Sequence, residues 1–166
     1  MEVPSSPRGK TISILLILSA ISLVAMGIFG KPLFSRGEAR EALVVQSMYV
    51  HEQMFSPELP TGNIPSKPPA LHWIALMVAA SAGVVTEWSV RMPAAFAFVF
   101  FSVSYFHFLR TRSNPDLALV STLLLMTSAE WYRSGTIGRV DMLLAVSMSG
   151  GLLALLAWRE RGVKDS

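Results

Sequence analysis

TISILLILSAISLVAMGIF, residues 11–29, contains no charged side chain. At about 1.5 Å of rise per residue, a helix of that length approaches the ~30 Å thickness of a bilayer's hydrocarbon core. Arg8 and Lys10 precede it. A polar segment, residues 30–69, follows; it contains Ser35-Arg36-Gly37-Glu38-Ala39-Arg40-Glu41 and closes with Pro65-Ser66-Lys67-Pro68-Pro69. A short basic N-terminus before an apolar run also describes a secretory signal, but this run exceeds a signal core of roughly 7–15 residues and reads as an uncleaved first span. The chain is therefore expected to hold a charged, proline-bounded loop directly against a membrane surface. Such a loop is either a solvated connector or a site for a phosphate- or sugar-bearing ligand.

The whole composition agrees. Hydrophobic residues make up 52% of the 166 and charged residues only 15%, against about a quarter charged in soluble domains. The charges cluster and leave long uncharged runs, as in a polytopic membrane protein. No linker, internal repeat or low-complexity tract divides the chain, so residues 1–166 read as one integral membrane module. The absence of cysteine excludes disulfides and thiolate chemistry. The pI near 9.6 does not point to nucleic acid, because the basic residues sit at the ends of apolar runs, where they meet lipid headgroups.

Four runs have the character of spans: residues 11–29, 92–109, 117–129 with their flanks, and 140–158. A fifth, residues 70–85, is shorter than the ~20 residues a crossing helix needs, and it starts near His72 and Trp73, the latter an interfacial residue type. If that run does not cross and the N-terminus is cytoplasmic, then Arg8/Lys10, Arg110/Arg112 and Arg159/Arg161/Lys164 all fall inside, as the positive-inside rule requires. A five-span alternative, with a tilted short helix, moves the last two clusters outside. The expected fold is all-α: four transmembrane helices, with juxtamembrane helices in an outer-face loop, residues 30–91. That loop and the turn 130–139, leading to Asp141, then share one face. An integral protein of the bacterial inner membrane is the expected setting.

Within the loop, Ser35 and Glu38 have capping-box spacing, and residues 39–52 suit a helix lying on the membrane surface. Pro57, Pro60, Pro65, Pro68 and Pro69 prevent regular helix until about Ala70. Glu38 is either the second half of that cap or a carboxylate fixed at the bilayer surface. In the second role it would accept a proton from a hydroxyl or amine, or help hold a divalent cation. Arg40 and Lys67 either snorkel to headgroups or bind a phosphate, Arg40 bidentately and Lys67 as a point charge on a stiff turn. Asp141, beside Arg139, is either favoured by the dipole of its own helix or is a functional carboxylate at the edge of the hydrocarbon. His72 reads as interfacial, and His51 and His107 have no ligand-spaced partner. The nine Met and nine Phe read as span packing. No P-loop, GxGxxG, HExxH or Ser-His-Asp pattern is present.

Four motifs in order extend this reading: Gly37-Glu38-Ala39-Arg40, Lys67-Pro68-Pro69-Ala70-Leu71-His72-Trp73, Arg91-Met92-Pro93-Ala94-Ala95 and Arg139-Val140-Asp141-Met142-Leu143-Leu144. Together they resemble the N-terminal part of membrane glycosyltransferases of the GT-C class. The likeness is to the aminoarabinose transferases that modify lipid A and to the dolichyl-phosphate-mannose protein mannosyltransferases. The resemblance implies a polyprenyl-phosphate sugar donor, an outer-face lipid or protein acceptor and an inverting displacement at the anomeric carbon. It implies Glu38 and Asp141 as the acidic catalytic pair, with Arg40, Lys67 and Arg139 binding substrate.

Two positions depart from the family pattern. Gly37 stands where an Asp is common and Ser66 where a Glu is common, so two carboxylates are missing from the expected site. Family members run to several hundred residues, so the chain reads as a partial module, with a partner chain as one source of further spans. Two other readings stay open on sequence: a non-catalytic membrane module that binds lipid phosphate or a partner subunit, and a structural membrane subunit.

Overall fold

The computed structural model describes residues 7–29, 32–33, 35–55, 62 and 67–164. Pro57, Pro60, Pro65, Ser66 and the side chains of Arg8, Lys10 and Lys164 lie outside the described residues. Regular structure among the described residues is entirely helical: α1 Pro7–Ile28, α2 Arg36–His51, α3 Ala70–Ala82, α4 Glu87–Arg110, α5 Pro115–Thr127, α6 Ala129–Thr136 and α7 Asp141–Lys164. The all-α expectation for a polytopic membrane protein holds.

Local chemistry sets the helix boundaries. Ser35 caps α2 by accepting the Glu38 N–H at 3.1 Å. Asn114 caps α5 by accepting from the N–H groups of Asp116 and Leu117, with Pro115 in the first turn. Thr86 and Ser89 form a reciprocal capping box, so α4 starts at Glu87 rather than at Met92 as its apolar run suggested. Pro93 is then inside the helix, where it removes one backbone donor. Gly83, at φ 72°, ends α3 by donating its N–H to Ala79 and Ala80 carbonyls.

Contacts between distant residues define two ends of the bundle. Arg91 of α4 donates to the Ile28 carbonyl at the end of α1, while Arg110 at the other end of α4 donates to the Gly9 carbonyl near the start of α1. The two helices are therefore antiparallel. A turn of four residues, 111–114, reverses the chain into α5. Thr136, at the end of α6, lies against Gly27 of α1, so α5 and α6 return to the Arg91 end. From there α7 runs back until Glu160 meets Arg112. The segment after α1 and the segment 130–141 thus share one end, and Arg110, Arg112 and Glu160 mark the other.

Among the described residues, three helices are long and apolar enough to cross a membrane: Thr11–Ile28, Glu87–Arg110 and Asp141–Arg161. The expected third span, residues 117–129, corresponds to α5 and is continued by α6. Helix α5 has 13 residues, is about 20 Å long, and stops where Ser128 turns extended (ψ 134°). Ala70–Ala82 is likewise a short apolar helix; it packs against α2 and α4.

Leu16, Ala20, Val24 and Ile28 recur every four residues along α1 and form one buried stripe. They pack with Ala94, Ala95, Phe98 and Phe106 of α4, and with Ala118, Met126 and Met142. The outward surfaces stay apolar, as in Leu15, Leu18 and Ile21 of α1, Phe96 and Phe100 of α4, and Met148, Leu152 and Leu155 of α7. Such surfaces suit lipid rather than water.

This arrangement predicts paired accessibility in a cysteine-free chain. Cysteines at Thr111 and Arg159 should react with an impermeant maleimide from one side of the membrane, and cysteines at Glu52 and Arg133 from the other. Reaction of all four from the same side would contradict the two-ended bundle.

Candidate functional site

The Arg91 end is organised around one buried ion pair. The Arg91 guanidinium donates from Nε to Glu38 Oε1 at 2.7 Å and from Nη2 to Oε2 at 3.1 Å, a bidentate fork. It also donates to the carbonyls of Ile28 at 3.0 Å and Pro32 at 2.8 Å. The first of these is a helix-terminal acceptor otherwise left without an intrahelical donor. The Gly138 N–H donates to Glu38 Oε1 at 2.9 Å. Arg91 and Glu38 are both about fully buried, at 2% and 1% exposure. One carboxylate and one guanidinium therefore tie together α1, α2, α4 and the segment before α7. Gly138 is required for this closeness: a Cβ there would lie 2.8 Å from Val90 Cγ1 and 3.1 Å from the Val90 carbonyl oxygen.

One helical turn along α2 stands Glu41, also buried. Its Oε2 lies 2.8 Å from His72 Nε2. Its Oε1 lies 3.1 Å from Arg40 Nη2 and 3.3 Å from Lys67 Nζ. Burial pushes the Glu41 carboxyl up, but hydrogen bonds from His72 and Arg40 and the charge of Lys67 outweigh it and bring the pKa from 4.5 down to about 2. The carboxylate is therefore ionised and accepts, so His72 Nε2 carries the proton in this contact. Lys67 is 25% exposed and Arg40 48%, so both reach from a buried anion toward the surface.

A third group borders the same turn of α2. A Cβ on Gly37 would lie 3.5 Å from Arg139 Nε, so the start of α2 rests on the Arg139 side chain. Arg139 Nε lies 3.0 Å from Asp141 Oδ2, an ion pair without hydrogen-bond alignment. Asp141 is 43% exposed. Arg133 grips Glu130 on α6. Its hydrogen bonds hold the Glu130 carboxyl below the usual range.

All five candidate residues gather at this end, around the first turn of α2. Their surroundings differ. Lys67 and Arg40 converge on Glu41, and Arg139 and Asp141 face each other beneath Gly37. Glu38 lies inside the bundle, its carboxylate held by Arg91 and Gly138. Among the described residues, no three His, Asp or Glu side chains gather closely enough to hold a metal ion.

Glu41, His72 and Gly138 were not singled out for this site from sequence, and Arg91 was noted only as a motif residue. A signal for Glu41 existed: Glu38, Glu41, Val44, Val45 and Met48 follow helical spacing and form the buried face of α2.

Residues 66–165, more than half of the chain, match the family model described as dolichyl-phosphate-mannose-protein mannosyltransferase. The matched stretch includes Lys67, Arg91, Arg139 and Asp141 and begins after α2. No curated protein and no solved structure matches the chain.

Two outcomes follow from the buried pairs. Arg91→Met leaves the Glu38 carboxylate buried without its main partner and should destabilise the fold by about 3–5 kcal/mol. The double variant Glu38→Gln/Arg91→Met should recover much of that, because no unpaired charge remains; detergent-solubilised thermal unfolding measures both. The depressed pKa of Glu41 contributes stability that is complete above about pH 4.5 and is lost as the pH falls toward 2. A shift of this size corresponds to about 3 kcal/mol. An acid titration followed by circular dichroism should therefore show a shallower loss in that window for Glu41→Gln.

Proposed function

The chain belongs to the dolichyl-phosphate-mannose-protein mannosyltransferase family, and on that premise we propose that it transfers a sugar from a polyprenyl-phosphate donor at the Arg91 end of the bundle. One observation carries this reading. Lys67, Arg40 and Arg139, with the half-exposed carboxylate of Asp141, surround one turn of α2 at the end of an apolar helix bundle. A lipid-linked phosphate needs that combination: an apolar flank for its chain and cations at headgroup depth for its charge.

In this reading the donor's phosphate lies against Lys67 and Arg40, with Arg139 close to the sugar-bearing side. The acceptor hydroxyl attacks the anomeric carbon from the face opposite the phosphate. The new C–O bond forms as the bond to the phosphate oxygen breaks, which inverts the centre and releases polyprenyl phosphate. Asp141 takes the hydroxyl proton. It is more open than Glu38, and Arg139 keeps its charge paired. Glu38 acts through the fold: by holding Gly138 and Arg91, it fixes the segment that presents Arg139 and Asp141 to α2. The positive-inside pattern supports placing this end on the outer face of a bacterial inner membrane, with the N-terminus cytoplasmic.

A non-catalytic lipid-phosphate-binding module is the second reading, favoured by the sequestration of Glu38 and by the missing carboxylate at Gly37. Two variants separate the readings. In lipid nanodiscs, Lys67→Ala should weaken polyprenyl phosphate binding by about 1.5–3 kcal/mol, read by native mass spectrometry. Unchanged binding removes Lys67 from the site. Asp141→Asn should leave binding within a few-fold but abolish transfer from a polyprenyl-phosphate sugar. Binding without transfer by the unaltered chain selects the second reading.

A further inference from the structure

Glu41 is the carboxylate that lies directly on the two cations offered to the donor phosphate, so its charge runs against anion binding there. It is fully buried, 1% exposed, yet it lies 3.1 Å from Arg40 Nη2 and 3.3 Å from Lys67 Nζ. His72, buried and 2.8 Å from the other oxygen, fixes the carboxylate from the interior side. Oε1 therefore faces the two cations.

Two consequences follow. Both cations are held on one point, so their charged ends form a single jaw rather than two freely moving chains. Arg40 and Lys67 bring two positive charges and Glu41 removes one. We propose that Glu41 is a positioning and charge-balancing residue that tunes this jaw to a singly charged phosphodiester in preference to a doubly charged phosphate monoester. The inference rests on the lipid-phosphate reading of the site. In transfer from a polyprenyl-phosphate sugar, the donor is a diester with one negative charge and the product is a monoester that carries close to two. An uncompensated pair of cations would hold the product more tightly than the donor. Glu41 offsets that difference and favours product release.

The test compares two probes that differ by one methyl group and one charge: polyprenyl phosphate and its methyl phosphodiester, at pH 8, with the full chain in lipid nanodiscs. Glu41→Gln keeps the side chain's size and its capacity to hydrogen-bond but removes the charge. It should shift the ratio of the two Kd values toward the monoester by on the order of tenfold, as expected for one charge a few ångströms from the ligand. Glu41→Asp keeps the charge and should stay near the unaltered ratio, even where both affinities fall. A ratio unchanged in Glu41→Gln, or shifted equally in Glu41→Asp, overturns the charge-balancing role and leaves the lipid-phosphate site standing. Failure of the unaltered chain to bind either probe overturns the site itself. Helical circular dichroism of each variant separates loss of fold from loss of affinity.

Discussion

The buried pair of Glu38 and Arg91 is the constraint on which the rest of this end depends. Two opposite charges withdrawn from water are stable only when every donor and acceptor finds a partner. Here the bidentate fork, the Ile28 and Pro32 carbonyls and the Gly138 N–H supply those partners. Three of the four elements tied in this way are apolar helices or their immediate extensions. Nonspecific packing of such surfaces has weak directionality. Hydrogen bonds do not, so the pair sets how α2 and the segment before α7 are placed relative to α1 and α4.

The proposed function rests on that placement. Glu38 and Glu41 share the buried face of α2, Glu38 on Arg91 and Glu41 on His72 and Lys67, while Gly37 rests on Arg139 and Arg40 reaches from the exposed side back to Glu41. A single turn thus borders both an exposed carboxylate and a cationic jaw. In the proposed reading Glu38, held by Arg91 and Gly138, keeps the others in place. Asp141 is 43% exposed, the access that its proposed role in proton transfer needs.

The sequence was informative where a property is local. Apolar length, capping residues and proline positions are each written in a few adjacent residues, and they predicted α1, α2, the late start of α3 and the all-helical class. The residues around the site also carried local signs: Lys67 between prolines, Asp141 beside Arg139. Pairings were not legible. Glu38 and Arg91 are separated by 53 residues, and Glu38 and Gly138 by 100; nothing near either residue encodes its partner. The apolar run 117–129 matches α5, and the separate short helix α6 that follows Ser128 was not legible in it. Glu41 was within reach of helical spacing, but a charged residue on a buried face reads as an error until its cations are found.

The central claim is that a lipid-linked phosphate binds at the Arg91 end. Photocross-linking tests it most directly, with a polyprenyl phosphate bearing a diazirine beside the phosphate, added to the full chain in native-like membranes and mapped by peptide mass spectrometry. Adducts concentrated on the peptides that contain Arg40, Lys67 and Arg139 are the predicted result. Adducts concentrated at the opposite end, around Arg112 and Arg159, or spread evenly along the lipid-facing helices, would contradict it.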